Sequence, residues 1–306
     1  MKLSQDVMQL HLDMLNDRTR TLSFIEAIRE TVRPGDVVLD IGTGTGILAA
    51  TAARAGARHV YAIEAGQIQK VARDLFAGNN LSDRITLIRG WSTQVELPER
   101  ADVLISEVIG HEPLAEDVLE TTADAVSRLV KPDARLVPRR LRIFCLPVQI
   151  PLVEMKRFVF TPEALRDWQS WYGIEFDALL RANRNTLFRF LINPYHLRKW
   201  KPLGQPLLLK DIDFKTCDLS QVETTCTANA STNGQMNGLV FYFELVLSRS
   251  VCLSTHPSLV KKDHHWSSPV WVLTDPLSLQ RGTPFSVTYK YDQRKRHSWC
   301  EVHLIK

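Results

Sequence analysis

Two glutamates flank a short loop that follows an apolar run, and their type and spacing suit the binding of a planar cation. The run Val103–Ser106 leads into Glu107, and Glu116 follows nine positions later, with Gly110 and Pro113 allowing the chain to turn back. A guanidinium group carries five N–H donors in one plane and stays charged in water. Two converging carboxylates match that geometry and offset its desolvation, so the pair predicts a guanidinium site, whereas either acid alone would be a solvated loop residue.

A glycine-rich segment is the second feature with chemical meaning. It opens at Asp40, directly after the apolar run Val37–Leu39, and contains three alternating glycines, Gly42, Gly44 and Gly46. Alternating glycines let the backbone turn tightly after a buried strand and approach a ligand closely. A dinucleotide fingerprint has its third glycine three residues after the second, whereas the gap here is two, so the spacing disfavours NAD. An ordinary glycine-rich turn is the alternative interpretation.

A third acid narrows the identity of the ligand. The apolar run Val60–Ile63 ends at Glu64, where a doubly wound fold places the carboxylate that binds a ribose diol. No lysine follows the last glycine to hold a phosphate. These observations favour a positively charged nucleoside without phosphates. We predict S-adenosylmethionine, with Asp40 near its cationic amino-acid end and Glu64 at its ribose.

The elements around these motifs alternate in the manner of a parallel α/β sheet. The predicted strands and helices are Val37–Asp40, Val60–Glu64, Ile85–Arg89 and Val103–Ser106, and Ile47–Ala55 and Ile68–Phe76. Such a sheet binds ligands at the carboxyl ends of its strands. We therefore expect the glycine segment, the ribose acid and the acid pair to share one site.

The pattern changes beyond residue 140 to short alternating apolar runs separated by Pro, Asn and Gly, which predicts antiparallel β structure. We expect a Rossmann-like domain over residues 1–140 and a β-barrel-like domain over residues 141–306. Within the second domain, Ala164–Leu191 carries aromatic and leucine side chains at helical spacing. That segment is either a core-facing pair of helices or a protruding dimerisation arm at about residues 160–195.

Composition limits the class of protein. The chain has 306 residues, of which 44% are hydrophobic, and a net charge of +4. That is enough apolar material for a sizeable core and too little positive charge to indicate nucleic-acid binding. Because no apolar run reaches the length of a membrane span and the first residues are polar, we expect a cytoplasmic protein without membrane association. Five scattered cysteines without a CxxC spacing predict neither disulfides nor a zinc site.

The glycine segment, the ribose acid and the acid pair together resemble the protein arginine methyltransferases. The double-E loop of that family, Ser-Glu followed nine residues later by Glu, matches Ser106–Glu116, and we keep this name for those residues. The resemblance implies methyl transfer from S-adenosylmethionine to a guanidino nitrogen held by Glu107 and Glu116, without a metal ion. It also implies a homodimer built by the helical arm.

The resemblance extends to residues outside these motifs. The segment before the first strand implies that Arg20 binds the cofactor carboxylate, that His11 adds a cofactor contact, and that Met14 lies beside the substrate. After the third strand, Ser92 and Thr93 fall where the family contacts adenine.

A histidine segment near residue 265 also resembles the family. His264-His265-Trp266 corresponds to a Thr-His-Trp element, with His264 in place of the threonine. The resemblance implies that His265 pairs with Asp17 to brace the double-E loop and that Trp266 forms a wall of the substrate channel.

The substrate and the product follow from finer similarities. The glycine segment, Tyr61–Glu64 and the extra acid Glu112 are most similar to the branch of the family that stops at monomethylarginine. Because bacterial relatives methylate free arginine, the expected substrate is either free arginine or an arginine in a peptide or protein. Two other functions remain open. One is a methyltransferase acting on an oxygen, nitrogen or carbon of another small molecule, and the other is a non-catalytic cofactor-binding scaffold.

Overall fold

The first half of the chain alternates strands and helices, as predicted. A computed structural model describes residues 3–182, 187–217 and 222–305. In chain order, the elements of this half are α1 (Gln5–Asn16), α2 (Arg18–Thr31), β1 (Val37–Ile41), α3 (Ile47–Arg54), β2 (His59–Glu64), α4 (Gln69–Gly78), β3 (Ile85–Arg89), β4 (Ala101–Ser106), α5 (Val118–Arg128) and β5 (Val130–Val137). The strands pair in parallel in the order β3-β2-β1-β4-β5. The predicted Rossmann-like sheet is therefore confirmed.

Strand β1 lies at the centre of this sheet, and all five of its residues are buried. Its neighbours are β2 on one side and β4 on the other. The chain therefore leaves the carboxyl ends of β1 and β4 in opposite directions, which opens a crevice between the loops that follow them. Helix α3 packs closely over the sheet because four small residues face it: Ala49, Ala50, Ala52 and Ala53.

The second half is dominated by antiparallel strands. Its elements are β6 (Arg140–Gln149), α6 (Leu152–Met155), α7 (Pro162–Tyr172), α8 (Asp177–Ala182), β7 (Leu187–Ile192), α9 (Pro194–Leu197), β8 (Lys201–Pro202), β9 (Leu207–Asp213), β10 (Val222–Asn229), β11 (Gly234–Val246), β12 (Cys252–Ser254), β13 (Ser268–Leu279), β14 (Pro284–Asp292) and β15 (His297–Leu304). In the described residues they form one sheet ordered β7-β13-β11-β6-β8, with β12 on β11 and β9 on β6, and a second ordered β10-β14-β15. This half matches the predicted β-barrel-like architecture.

The predicted helical arm is only partly helical. Helix α7 is capped by Thr161, whose Oγ1 accepts the Ala164 N–H, and it ends at Gly173 in a left-handed conformation. Trp171 and Tyr172 near its end are 64% and 63% exposed, whereas Ala164 and Leu165 near its start are buried. Helix α7 therefore packs on the protein at its start and leaves its aromatic end on the surface.

The helical interpretation is wrong for Leu187–Ile192, which form β7 and pair with β13. A short apolar run can form a helix or a strand on local grounds. Here it forms a strand, because β13 pairs with β11 on one side only and its other edge accepts β7. Residues 183–186 of the predicted arm lie outside the described residues.

The two halves share a continuous hydrophobic core, which runs from the parallel sheet into the space between the antiparallel sheets. Hydrogen bonds also join the two halves. Glu30 on α2 accepts them from the hydroxyls of Ser248 and Ser250 and from the Arg249 N–H. Among the helices of the described residues, none has the length and apolar character needed to cross a membrane.

Gly46, which begins α3, should not tolerate a side chain. Its φ is +88°, and an added Cβ would lie 2.5 Å from Phe76 Cε1. We expect Gly46→Ala to lower the free energy of unfolding by roughly 2–4 kcal/mol, because it combines backbone strain with overpacking. Gly78, at the end of α4, is the matched control, since an added Cβ there meets no atom within 4 Å. Gly78→Ala should be neutral or stabilise by up to about 1 kcal/mol. Equal effects in urea unfolding would contradict this account.

Candidate functional site

A cavity of about 650 Å³ opens at the carboxyl ends of β1 to β4, where α1, α2 and the barrel-like half meet. Its volume is within the range of small-molecule sites. Eleven of the predicted site residues line it: His11, Met14, Arg20, Gly42, Gly44, Glu64, Ser92, Glu107, Glu116, His265 and Trp266. Four of them do not: Asp17, Asp40, Gly46 and Thr93.

The glycine loop approaches its neighbours so closely that side chains would not fit. Gly42 and Gly44 both have positive φ. A Cβ on Gly42 would lie 2.7 Å from Val108 of the double-E loop, and one on Gly44 would lie 3.1 Å from His11 of α1. The loop backbone therefore forms one wall of the cavity between these two elements, as the glycine spacing predicts.

Glu64, at the end of β2, joins two loops on the cavity wall. Its Oε2 accepts the Gly44 N–H at 2.9 Å, and its Oε1 accepts the Gly66 N–H at 2.6 Å. These hydrogen bonds fix the direction of a half-buried carboxylate before any ligand arrives. The position agrees with the predicted ribose contact, which the structure does not test.

Asp40 does not reach the cavity, contrary to its predicted place beside the cofactor. It is 1% exposed, and its carboxylate turns back to accept hydrogen bonds from the Thr43 hydroxyl at 2.6 Å and from the Ala49 N–H. Burial raises the pKa of Asp40 to about 7 against the effect of these hydrogen bonds. Asp40 therefore braces the glycine loop from beneath. Gly46 likewise faces Phe76, and Thr93 lies off the cavity wall.

Glu107 and Arg20 form a buried ion pair inside the cavity. Glu107 Oε2 contacts Arg20 Nη2, and the two side chains are 6% and 8% exposed. Burial lowers the pKa of Arg20 to about 10, so the guanidinium stays charged at neutral pH. Within the described residues, the buried Oε1 of Glu107 and Nε of Arg20 have no hydrogen-bond partner. Arg20 thus orients Glu107 and leaves one carboxylate oxygen available to a ligand.

Glu116 lies across the same loop and is more open to the cavity. Its Oε1 packs over Gly110, where an added Cβ would lie 3.0 Å away. Burial, with a further contribution from the negative charge of Asp117, raises the pKa of Glu116 above its usual value. A carboxylate in this setting is a better proton acceptor than an ordinary exposed glutamate.

Asp17 lies behind the cavity and binds two histidines. Its Oδ1 accepts the Arg20 N–H and caps α2, while its Oδ2 is 3.1 Å from both His264 Nδ1 and His265 Nδ1. Burial acts to raise the pKa of Asp17, but the hydrogen bonds from these groups hold it well below its usual range. Burial lowers the pKa of His265 to about 4, so a neutral ring donates to a charged carboxylate. The sequence predicted the His265 contact and missed that of His264.

The residues after His265 connect this brace to the double-E loop. Trp266 Nε1 donates to the Ile109 carbonyl at 2.7 Å, and the Ser267 N–H donates to His111 Nδ1 at 3.0 Å. The barrel-like half therefore holds the double-E loop through two consecutive residues.

The sequence analysis missed several residues of the cavity wall, chiefly Trp91, His111, Asp117 and Arg296. Trp91 adjoins the predicted Ser92, so its position could have been found. Arg296, on the turn between β14 and β15, pairs with Asp117, and both residues have positive φ. No motif marks that turn, and only the fold brings it to the cavity.

Comparison with known proteins gives a consistent result. Residues 17–138 match the family described as ribosomal protein L11 methyltransferase (PrmA), and residues 149–303 match the arginine methyltransferase oligomerization subdomain. Protein arginine N-methyltransferase PRMT10 of Oryza sativa subsp. japonica is 30% identical, over 93% of this chain and 81% of its own length.

Two solved structures are also similar. The Trypanosoma brucei PRMT1 enzyme-prozyme heterotetrameric complex with AdoHcy has a TM-score of 0.82 and 25% identity, covering 96% of this chain and 92% of its own. The Arabidopsis thaliana protein arginine methyltransferase 10, in a uniquely open conformation, has a TM-score of 0.76 and 25% identity, covering 97% of both chains.

The buried carboxyl of Asp40 should make stability depend on pH. Between about pH 4 and 7, folded Asp40 keeps a proton that the unfolded chain has released, so the free energy of unfolding falls as the pH rises through this window. Asp40→Asn removes this dependence. We expect the variant to gain stability relative to the parent by up to about 1.4 kcal/mol per pH unit between pH 5 and 7, measured by urea unfolding. A difference that is the same at both pH values would contradict the assignment.

Proposed function

The chain belongs to the protein arginine methyltransferase family, and on that premise we propose that it transfers a methyl group from S-adenosylmethionine to a guanidino nitrogen of arginine in a peptide or protein. The observation that carries this proposal is the buried Oε1 of Glu107, which has no partner among the described residues and belongs to a side chain that lines the same cavity as Glu116. A buried anionic acceptor without a partner requires a cationic donor. The relatives described above are named as protein arginine methyltransferases, which supports peptidyl arginine over free arginine.

The walls of the cavity fit the cofactor. When bound, S-adenosylmethionine supplies a methyl group on a positively charged sulfur. The backbone of Gly42 and Gly44 allows close approach, and the fixed carboxylate of Glu64 suits a ribose diol. Arg20 binds Glu107 through Nη2, and its Nε has no partner in the described structure. Its remaining N–H groups suit the carboxylate of the cofactor. His11 lies beside Gly44, where it can add a cofactor contact.

The acid pair prepares the guanidinium for attack. Glu107 Oε1 and Glu116 accept its N–H groups and concentrate its positive charge on the nitrogens that they hold, which leaves a usable lone pair on the attacking nitrogen. The rate gain comes mainly from positioning and from preorganised charge. Glu116, whose pKa is raised, then accepts the proton that the methylated nitrogen releases.

His111 is less suited to that proton transfer, although it lines the same cavity. Its Nδ1 already accepts the Ser267 N–H, and burial lowers its pKa. The ring is therefore neutral at pH 7, with its second nitrogen protonated as a donor. This arrangement favours Glu116 as the base.

The number of methyl groups added stays a prediction. Met14 lines the cavity, and its Sδ lies 3.7 Å from Arg20 Nη2, beside the ion pair. A bulky side chain here reduces the space for a nitrogen that already bears a methyl group, which supports monomethylarginine as the product. Homodimerisation through α7 likewise stays a proposal, supported by the oligomerization subdomain match and by the exposed Trp171 and Tyr172.

Glu107→Gln and Glu116→Gln should each lower kcat by about a hundredfold or more, because each removes a charge that binds the guanidinium. The affinity for S-adenosylhomocysteine should change by no more than a few fold in Glu116→Gln. It should fall further in Glu107→Gln, which also removes the buried counterion of Arg20. The assay supplies labelled cofactor with an arginine-rich peptide or with free arginine, and mass spectrometry identifies the products. Glu96→Gln, an exposed acid away from the cavity, is the control.

Full activity in either variant would remove the guanidinium assignment. Methylation of free arginine but not of the peptide would replace the proposed substrate, and turnover of neither would refute the proposed function. A dimethylated product would overturn the monomethyl prediction.

Glu64→Ala should instead weaken cofactor binding. Loss of a charged acceptor for the ribose hydroxyls should reduce the affinity for S-adenosylhomocysteine by about ten- to a hundredfold. Titration calorimetry measures this directly and does not depend on turnover. An affinity equal to that of the Glu96→Gln control would refute the ribose role.

A further inference from the structure

We propose that Glu112 is a positioning residue, which fixes the double-E loop to three strands of the barrel-like half and thereby sets the geometry of Glu107 and Glu116. This inference rests on the proposed methyl transfer and adds a residue that the proposed chemistry does not use. Glu112 lies between the two acids in sequence but does not line the cavity. It is 6% exposed, so it does not act on the substrate.

The described polar contacts of the Glu112 carboxylate come from the other half of the molecule. Its Oε1 accepts the Tyr289 hydroxyl of β14 at 2.9 Å, and its Oε2 accepts the Ser298 hydroxyl of β15 at 2.6 Å. Arg189 Nη1 of β7 lies 3.4 Å from the same Oε2. Donors from three strands thus meet at one carboxylate. A shorter side chain would not reach these donors, and an apolar side chain would offer them no acceptor.

These contacts complete a set of links to the double-E loop. Trp266 and Ser267 hold the loop at Ile109 and His111, and the Tyr291 hydroxyl donates to the Leu114 carbonyl at 2.7 Å. The Glu112 carboxylate lies in the middle of this series. In the described structure, it binds the barrel-like half through both of its oxygens.

The position of Glu112 explains why it would affect the reaction. Releasing it loosens the segment between Gly110 and Glu116, which then keeps only its links at His111 and Leu114. Glu116 packs directly over Gly110 at one end of this segment. A displacement of about 1 Å at a reacting group is enough to cost about a hundredfold in rate. The glycine loop and Glu64 make no contact with Glu112 in the described structure, so cofactor binding should be preserved.

A purely structural role is the competing explanation, because removing any buried hydrogen bond lowers stability. Thr255→Val is a matched control for it. Thr255 is buried, and its hydroxyl binds both backbone groups of Phe243 and forms no described hydrogen bond with the double-E loop. Both Thr255→Val and Tyr289→Phe delete one buried hydroxyl with little change in shape.

The experiment compares Glu112→Ala, Glu112→Gln, Tyr289→Phe and Ser298→Ala with Thr255→Val in the full chain. The readouts are kcat and KM on the arginine substrate that the parent methylates, calorimetric affinity for S-adenosylhomocysteine, and Tm. We expect Glu112→Ala to lower kcat by ten- to a hundredfold with cofactor affinity within about twofold. Glu112→Gln should recover part of the loss, because its amide oxygen still accepts one hydroxyl.

Tyr289→Phe and Ser298→Ala should also lower kcat, and adding either change to Glu112→Ala should cause little further loss, since they share one carboxylate. Thr255→Val should lower Tm and leave kcat per folded molecule unchanged. If the Glu112 and Tyr289 variants lower Tm but keep kcat, the proposal is overturned. If Glu112→Ala does not fold, the kcat of Tyr289→Phe decides between the two explanations. Absence of turnover in the parent chain would refute the proposed function instead.

Discussion

The site depends on the burial of the Arg20–Glu107 ion pair. A charged carboxylate or guanidinium enclosed without a partner would be strongly destabilising, and each of these groups compensates the other. The pair also needs a fixed frame. Arg20 lies under the ring of Trp266, and its helix is capped by Asp17, which two histidines from the barrel-like half hold. One oxygen of Glu107 is thereby paired, and the other stays without a hydrogen-bond partner in the described structure, which is the asymmetry that a guanidinium substrate requires.

The barrel-like half therefore has a role beyond carrying an oligomerization surface. Its strands and the loop before β13 supply the interdomain hydrogen bonds to the double-E loop described above, through Arg189, Trp266, Ser267, Tyr289, Tyr291 and Ser298. The parallel sheet provides another wall of the cavity, with Glu64 and the glycine loop. Catalytic geometry thus arises at the contact between the two folds, and neither fold contains it alone.

Local sequence signals were sufficient for much of this arrangement. The glycine spacing, Glu64 and the acid pair follow buried strands, and parallel strands bring their carboxyl ends to one edge. The direction of a side chain is harder to predict: the pattern around Asp40 does not show that its carboxylate turns away from the cavity. The spacing in Leu187–Ile192 fits a helix locally, and its strand partner, β13, is distant in the sequence. The contacts of Glu112 and the place of Arg296 depend on packing between the halves, and no local pattern encodes such contacts.

The long sequence separation between the double-E loop and its anchors affects how the protein matures. Glu112 meets Tyr289 and Ser298, which follow it by 177 and 186 residues. During synthesis, the glycine loop and Glu64 leave the ribosome long before those hydroxyls do. The double-E loop therefore receives its last anchors only when β14 and β15 have folded against it.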